Sequence, residues 1–141
     1  AVGCAQIKKF PSFVVRRKEN FARLKEGLLD LQDSFILPEP CENSDPCWFG
    51  FLITCKERCD RNKVVRYVEE QGVQTRMLFS ANMTKHPCFE QMRREGRGYR
   101  IAGDLTVTDR IMTDTFWIGV YPGMTDAMID RMIRVLKEAV K

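Results

Sequence analysis

The chemistry this chain can offer is concentrated in Thr75–Phe89, TRMLFSANMTKHPCF, which carries Arg76, Asn82 and the single histidine, His86. The stretch reads as a strand running into a helix, so these side chains gather at a strand-to-helix junction. Such a junction offers unpaired backbone N–H groups and the positive end of a helix dipole to an anion. Arg76 can add a two-pronged contact to a phosphate or carboxylate. The same residues also suit a structural use, with Asn82 and Thr84 capping the helix and Arg76 solvated on its strand. The pattern leaves both readings open.

Other chemistries are poorly supplied. G-x-G-x-x-G, P-loop and G-x-S-x-G patterns are absent. A Cys–His pair would have to use His86 and Cys88, and residues two apart on a helix do not face each other. Asp104, Asp109 and Asp114 can supply acid–base groups, but their five-residue spacing on loops is a weak signal and favours turn and cap roles. The six cysteines, Cys4, Cys41, Cys47, Cys55, Cys59 and Cys88, contain a C-x3-C pair but no C-x2-C pair. Zinc-finger and zinc-ribbon spacings are not met, and the thiols read as free rather than metal-bound. Trp48, Phe49, Phe51, Phe116 and Trp117 suit either an aromatic ligand platform or a core. Their apolar strand context favours the core.

The elements that must position these residues follow from periodicity. Phe10, Val14, Phe21, Leu24, Leu28 and Leu31 form one helical stripe. Pro11 either opens that helix or separates a short helix from it, and Leu37–Pro38 ends it. Phe49–Cys55, Val73–Phe79 and Thr115–Tyr121 read as strands. Asp60 caps a helix with Val64, Val65, Tyr67 and Val68 inward, and Gly72 closes it in a left-handed conformation. Thr84 caps a short helix through Arg94, Glu95–Tyr99 is a glycine-rich loop, and Asp109–Met112 is a helical turn. Thr125 caps a last helix with Met128, Ile129, Met132, Ile133 and Leu136 inward. The expected fold is α/β (α+β), a small sheet of about three strands packed with helices.

A length of 141 residues suits one domain, and 44% apolar with 30% charged residues is ordinary for a folded one. Net charge is +4, spread along the chain, with pairs such as Lys8–Lys9, Arg16–Arg17–Lys18 and Arg93–Arg94 reading as solvated helix faces. No nucleic-acid-binding motif accompanies them, so no nucleic-acid partner is expected. No apolar run is long enough to span a bilayer, and the first residues, AVGCAQIKKF, lack the pattern of a secretory leader. The expected location is therefore cytoplasmic, without a membrane partner. With no initiator Met, the expectation is a chain processed or cut from something longer.

Several stretches together resemble one family. They are FARLKEGL (Phe21–Leu28), NSDPCWFGFLIT (Asn43–Thr54), Thr75–Phe89 and YRIAGDLTVTDRIMTDTFWIGVYPG (Tyr99–Gly123), with AVGCAQIKKFPSFVVRRKENF before them. The chain resembles the C-terminal small domain of the DegT/DnrJ-type sugar aminotransferases. Within them it is most similar to the branch of CDP-4-keto-6-deoxy-glucose 3-dehydrases of lipopolysaccharide biosynthesis. The resemblance implies the small domain of a fold type I pyridoxal-phosphate enzyme, with residues 1–33 as an interdomain helical segment and 34–141 as the sheet-and-helix unit that closes over the cleft.

It also implies that the cofactor, pyridoxal 5'-phosphate or pyridoxamine 5'-phosphate, is bound by a large domain upstream of Ala1. The catalytic lysine or histidine lies there too, so no catalytic residue is expected in this chain and it is inactive alone. A [2Fe-2S] cluster in the parent would use a C-x-C-x7-C pattern. Cys47 and Cys55 share the x7 spacing, but C-x-C is missing, so no cluster is expected here. Carried over residue by residue, the resemblance makes Arg76, Phe79 and Asn82 face the cleft, with His86 as a fourth. Their implied role is contact with the nucleotide-sugar substrate or the cofactor edge, and Tyr99 and Arg100 are expected to follow as the glycine-rich loop before them orders on ligand binding. A homodimer and a reductase partner belong to the same expectation. The alternatives are a nucleotide-sugar aminotransferase of the same family and a stand-alone, non-catalytic binding module.

Overall fold

The structure is a computed structural model describing residues 1–141. It opens with α1 (Val2–Ile7), which buries no residue, and α2 (Phe10–Gly27). Pro11 sits in the first turn of α2, where its missing N–H leaves no helical hydrogen bond unmade. It thus opens one helix behind a short preceding one. α2 stops at Gly27, well before Leu37–Pro38, and passes into a 3-10 turn at Leu29–Leu31. A Cβ on Gly27 would lie 2.3 Å from Cδ1 of Ile133, so the glycine permits the close approach of the last helix.

β1 (Phe35–Ile36) and β2 (Gly50–Cys55) follow, then α3 (Arg61–Glu70) and β3 (Thr75–Met77). α4 (Glu90–Glu95), α5 (Thr106–Asp114), β4 (Thr115–Gly119) and α6 (Asp126–Glu138) complete the chain. The caps of α3 and α6 are as the sequence requires. Asp60 accepts from the amides of Asn62 and Lys63, and Thr125 accepts from that of Met128 at 3.3 Å. Gly72 turns at φ 78° just past α3.

The sheet has four strands rather than about three, in the order β1-β2-β4-β3, and every pair is antiparallel. The added strand, β1, pairs Phe35 with Cys55 and Ile36 with Thr54. Two residues cannot display an alternation, so β1 has no periodic signature. The other strands are shorter than their apolar runs. β3 covers only 75–77, although Val73 is buried beyond it, and β4 stops at Gly119, although Val120 is buried.

Alternation sorts the sheet into two faces. Phe51, Ile53, Phe116 and Ile118 are fully buried on the inner face against Leu24 of α2 and Leu28 just past its end, Val64 and Val68 of α3, and Ile129 and Leu136 of α6. Each such side chain contributes roughly 1.5–3 kcal/mol of burial. α2 is therefore part of the same core as the sheet. Met128, expected inward on α6, is 41% exposed, so the buried stripe of that helix begins at Ile129. Across the helices, Arg16 and Arg23 both hold Asp126, at 2.8 and 2.9 Å, and Asn20 donates to the Tyr121 carbonyl at 2.9 Å.

The outer face carries Leu52 opposite Trp117 and Trp117 opposite Arg76. A Cβ on Gly50 would lie 2.6 Å from the Trp117 ring, which the glycine therefore admits. The aromatic set divides accordingly. Phe51 and Phe116 are core, and Trp48 stacks at a tilt on Phe21 with ring centres 4.6 Å apart. Phe49, more than half exposed, meets Trp117 edge-on at 5.4 Å on the open side.

All six cysteines are free thiols. Burial pushes the Cys55 thiol well above its ordinary range, with Cys59 beside it adding to the shift. No three His, Cys, Asp or Glu side chains gather in a metal-binding group, and no helix is long and apolar enough to cross a membrane.

Candidate functional site

Beyond β3 the chain does not enter a helix directly. Phe79 and Ala81 both adopt positive φ, 36° and 46°. Two non-glycine residues in this region within three positions are strained, and such strain persists only where surrounding contacts over-determine it. Those contacts are polar. Asn82 is buried, and its side-chain oxygen accepts from the Thr84 amide at 3.1 Å and the Thr84 hydroxyl at 2.6 Å. Its side-chain amide donates to Asp109 Oδ1 on α5 at 2.6 Å, and Lys85 Nζ holds the other oxygen of Asp109 at 2.8 Å. Lys85 first, and Asn82 second, keep the Asp109 carboxyl below the usual carboxylate range.

The junction expected to start a helix at Thr84 is a 3-10 turn, Met83–Lys85, capped by Asn82 rather than by Thr84. His86 is extended at ψ 145° ahead of Pro87, a second 3-10 turn covers Pro87–Phe89, and α4 begins only at Glu90. The residue before a proline avoids the helical region, which breaks the run. The turn also consumes its own donors. Thr84 N bonds the Asn82 side chain, Lys85 N the Asn82 carbonyl and His86 N the Met83 carbonyl. The unpaired N–H groups that an anion would need are largely absent.

His86 Nε2 lies 2.6 Å from the Ser80 carbonyl. A carbonyl only accepts, so Nε2 carries a proton and donates it to Ser80. Arg93 donates to the carbonyls of Thr84 and His86 from α4. The loop is thereby tied at three points, to α5, to α4 and to itself.

The four sequence-derived residues are placed in two ways. Asn82 and His86 lie within the tied loop with their polar atoms engaged inside the chain. Phe79 projects from its strained backbone and is 75% exposed. Arg76 is exposed on the outer face of the sheet and lines a groove of about 320 Å³ with Trp117, Tyr121, Met128 and Arg131. A smaller hollow of about 230 Å³, lined by Met83, Phe89, Met92, Arg93 and Tyr99, lies on the loop side. Tyr99 thus joins the loop's surroundings, and Arg100 is exposed beside it.

The acidic residues separate by role. Asp104 accepts from the Thr106 amide at 3.0 Å at the start of α5, which spans nine residues rather than one turn. Asp114 lies 3.9 Å from Arg110. Asp109 is the one that reaches the loop. The sequence offers Asp109 only acid–base, turn or cap use, does not single out Lys85, and gives Arg93 a solvated helix face where it in fact bonds the Thr84 and His86 carbonyls. The partners of Asp109 are 24 and 27 positions away (109 − 85 and 109 − 82), so no local pattern marks it.

The comparisons with known proteins agree with this architecture. Lipopolysaccharide biosynthesis protein RfbH of Salmonella typhimurium is 44% identical over 140 residues, covering 98% of this chain and 31% of RfbH. A dTDP-4-dehydro-2,6-dideoxy-D-glucose 3-dehydratase of Saccharopolyspora spinosa is 42% identical over 142 residues, covering 99% of this chain and 29% of the enzyme. The chain thus spans about a third of the length of these relatives. Among solved structures, E. coli GDP-4-keto-6-deoxy-D-mannose-3-dehydratase with bound hydrated PLP superposes with a TM-score of 0.80 at 20% identity, over 96% of this chain and 33% of that one. The antiparallel sheet with its helices is the fold of the C-terminal part of fold type I pyridoxal-phosphate enzymes. With residues 1–137 matching its model, the chain belongs to the DegT/DnrJ/EryC1/StrS aminotransferase family.

Proposed function

We propose that this chain is the C-terminal domain of a nucleotide-sugar 3-dehydrase of lipopolysaccharide biosynthesis, acting on a CDP-4-keto-6-deoxyhexose. It closes over an active-site cleft built mainly by residues outside it. The observation that carries the reading is identity above 40% along nearly the whole chain to two proteins, one named for lipopolysaccharide biosynthesis and one for 3-dehydration of a nucleotide sugar. Those names favour dehydration over amino transfer within the family.

Pyridoxal or pyridoxamine phosphate would supply the electron-withdrawing ring for loss of the 3-hydroxyl. The residues here do not form its cradle. Lys85 is ion-paired to Asp109, His86 is bonded to a carbonyl, and the loop's amides are consumed by its own turn. What this chain contributes is binding and orientation. Arg76 offers an unpaired guanidinium to phosphate or carboxylate oxygens. Phe79 offers an exposed ring to a sugar or cofactor face and shields it from water. Asn82 and His86 hold the loop that presents Phe79.

The test is turnover by the full protein that carries this chain, with pyridoxamine phosphate and the CDP-4-keto-6-deoxyhexose, followed by NMR for loss of the 3-hydroxyl. Arg76→Gln is expected to raise KM about tenfold, the scale of one lost charged contact, and Phe79→Ala by about the same factor, the scale of one apolar ring face uncovered. Turnover by the 141-residue chain alone, or unchanged kinetics in both variants, defeats the reading.

A further inference from the structure

We propose that Asp109 is a positioning residue for substrate binding, the latch that fixes the Phe79-bearing loop to α5. This rests on the reading that the loop faces the nucleotide sugar, and it assigns the control of loop geometry to a residue outside the loop. Between Thr75 and Thr115 the only buried residue is Asn82. No apolar side chain in that span is buried, so the loop's conformation cannot rest on a core of its own. Its buried anchor is an amide, and the partner of that amide's N–H is Asp109, 2.6 Å away.

The carboxylate divides its two oxygens between two points of the loop. Oδ1 takes Asn82 from one end of the 3-10 turn, and Oδ2 takes Lys85 from the other. Both ends of the turn are thereby fixed relative to α5, and α5 continues directly into β4 in the sheet. The turn in turn fixes Ala81 and, through the His86–Ser80 bond, the residues next to Phe79. Charge-assisted bonds of this kind are the stronger class. They are suited to holding two left-handed residues, Phe79 and Ala81, that would otherwise relax. The latch thus links a strained, ligand-facing ring to the rigid sheet, and α5 carries the linkage.

The experiment uses the full protein and reads two quantities, KM for the nucleotide sugar and amide hydrogen exchange over residues 79–86. Asp109→Ala removes both latch bonds. Asp109→Asn keeps an acceptor for Asn82 and loses the charge. Lys85→Met removes only the Lys85 arm. KM is expected to rise in the order Asp109→Ala, Asp109→Asn, Lys85→Met, by about tenfold or more for the first, with kcat changed much less. Exchange over 79–86 rises in the same order. Asp114→Asn on the same helix is the control and leaves both unchanged. If Asp109→Ala leaves KM unchanged while Phe79→Ala raises it, the latch is refuted and the site reading stands. If Asp109→Ala speeds exchange but neither it nor Phe79→Ala alters KM, the loop does not face substrate, and both fall. A KM rise in Asp114→Asn equal to that in Asp109→Ala would mean general loosening of α5 and would also overturn the proposal.

Discussion

The helix-covered face of the sheet and the loop between β3 and α5 are held together by opposite means. The inner face is closed by seventeen clustered apolar residues contributed by α2, α3, α6, the strands and their flanks, and none comes from residues 76–114. The loop instead exposes Phe79, Met83, Met92 and Tyr99, and buries an asparagine. Apolar burial is non-directional and tolerates shape changes at moderate cost. A hydrogen-bonded anchor is directional and loses its effect with a shift of about an ångström. The difference teaches where this chain can afford to put ligand-facing groups. The core gives stability without specifying any one surface side chain. The latched loop specifies the direction of Phe79 while adding little to global stability.

The largest break in that comparison is expected from the core. Phe116→Ala removes a fully buried ring between the β2 and β3 neighbours of β4. It should cost about 3–5 kcal/mol. That is a large part of the total stability of a domain of this size. A urea titration followed by tryptophan fluorescence should show a lowered midpoint, and a change under about 1 kcal/mol would mean that the sheet is not the organising core.

Asn82→Ala probes the other side. It strips the loop's one buried polar side chain and leaves the Thr84 hydroxyl and one Asp109 oxygen without that partner. Loss of a buried hydrogen bond costs about 1–3 kcal/mol. Here the cost should be local, because the loop contributes no core residue. Hydrogen exchange over residues 79–86 should accelerate while the urea midpoint moves far less than in Phe116→Ala. An equal drop in both midpoints would show that the loop and core unfold as one unit, which would erase the contrast.

The same contrast decides what was legible in the sequence. Helix stripes such as Phe21, Leu24 and Leu28, and caps such as Asp60 and Thr125, are local and periodic, and they stand where their spacing puts them. The apolar run around β2 likewise predicts a buried strand. β1 escaped because two residues carry no period. The loop escaped for a different reason. Its geometry depends on Asp109 reaching back to Asn82 and Lys85, and a polar contact across more than twenty residues leaves no mark in composition or spacing. Pro87 was visible, but its effect on His86 turned an expected helix into two 3-10 turns. Arg76 follows from the chemistry of the strand-end junction and again from the resemblance, Phe79 from the resemblance alone, and neither from periodicity. Their exposure is compatible with ligand contact, whereas the buried position of Asn82 marks it as part of the scaffold beneath.

The smallest effect, and the one that touches both regions at once, is acid. Asp126 is held below the ordinary carboxylate range by hydrogen bonds from Arg16 and then Arg23, and Asp109 by Lys85 and then Asn82. In each case the folded-state pKa is depressed. The stabilising contribution is therefore fully present above the unfolded value of about 3.9 and is lost as pH falls through the lower folded value. The two aspartates should report on different regions. Protonating Asp126 releases the Arg16 and Arg23 contacts between α2 and α6, so it should lower the urea midpoint. Protonating Asp109 weakens the latch, so it should speed exchange in residues 79–86 with little effect on that midpoint. Both contributions are small because the pairs are partly open to water and screened by it. Asp126→Asn should flatten part of the fall in midpoint below about pH 4 without altering loop exchange, and Asp109→Asn should do the reverse. If either substitution moved both readouts together, the sheet core and the loop would share one cooperative unit, despite having no buried apolar contact in common.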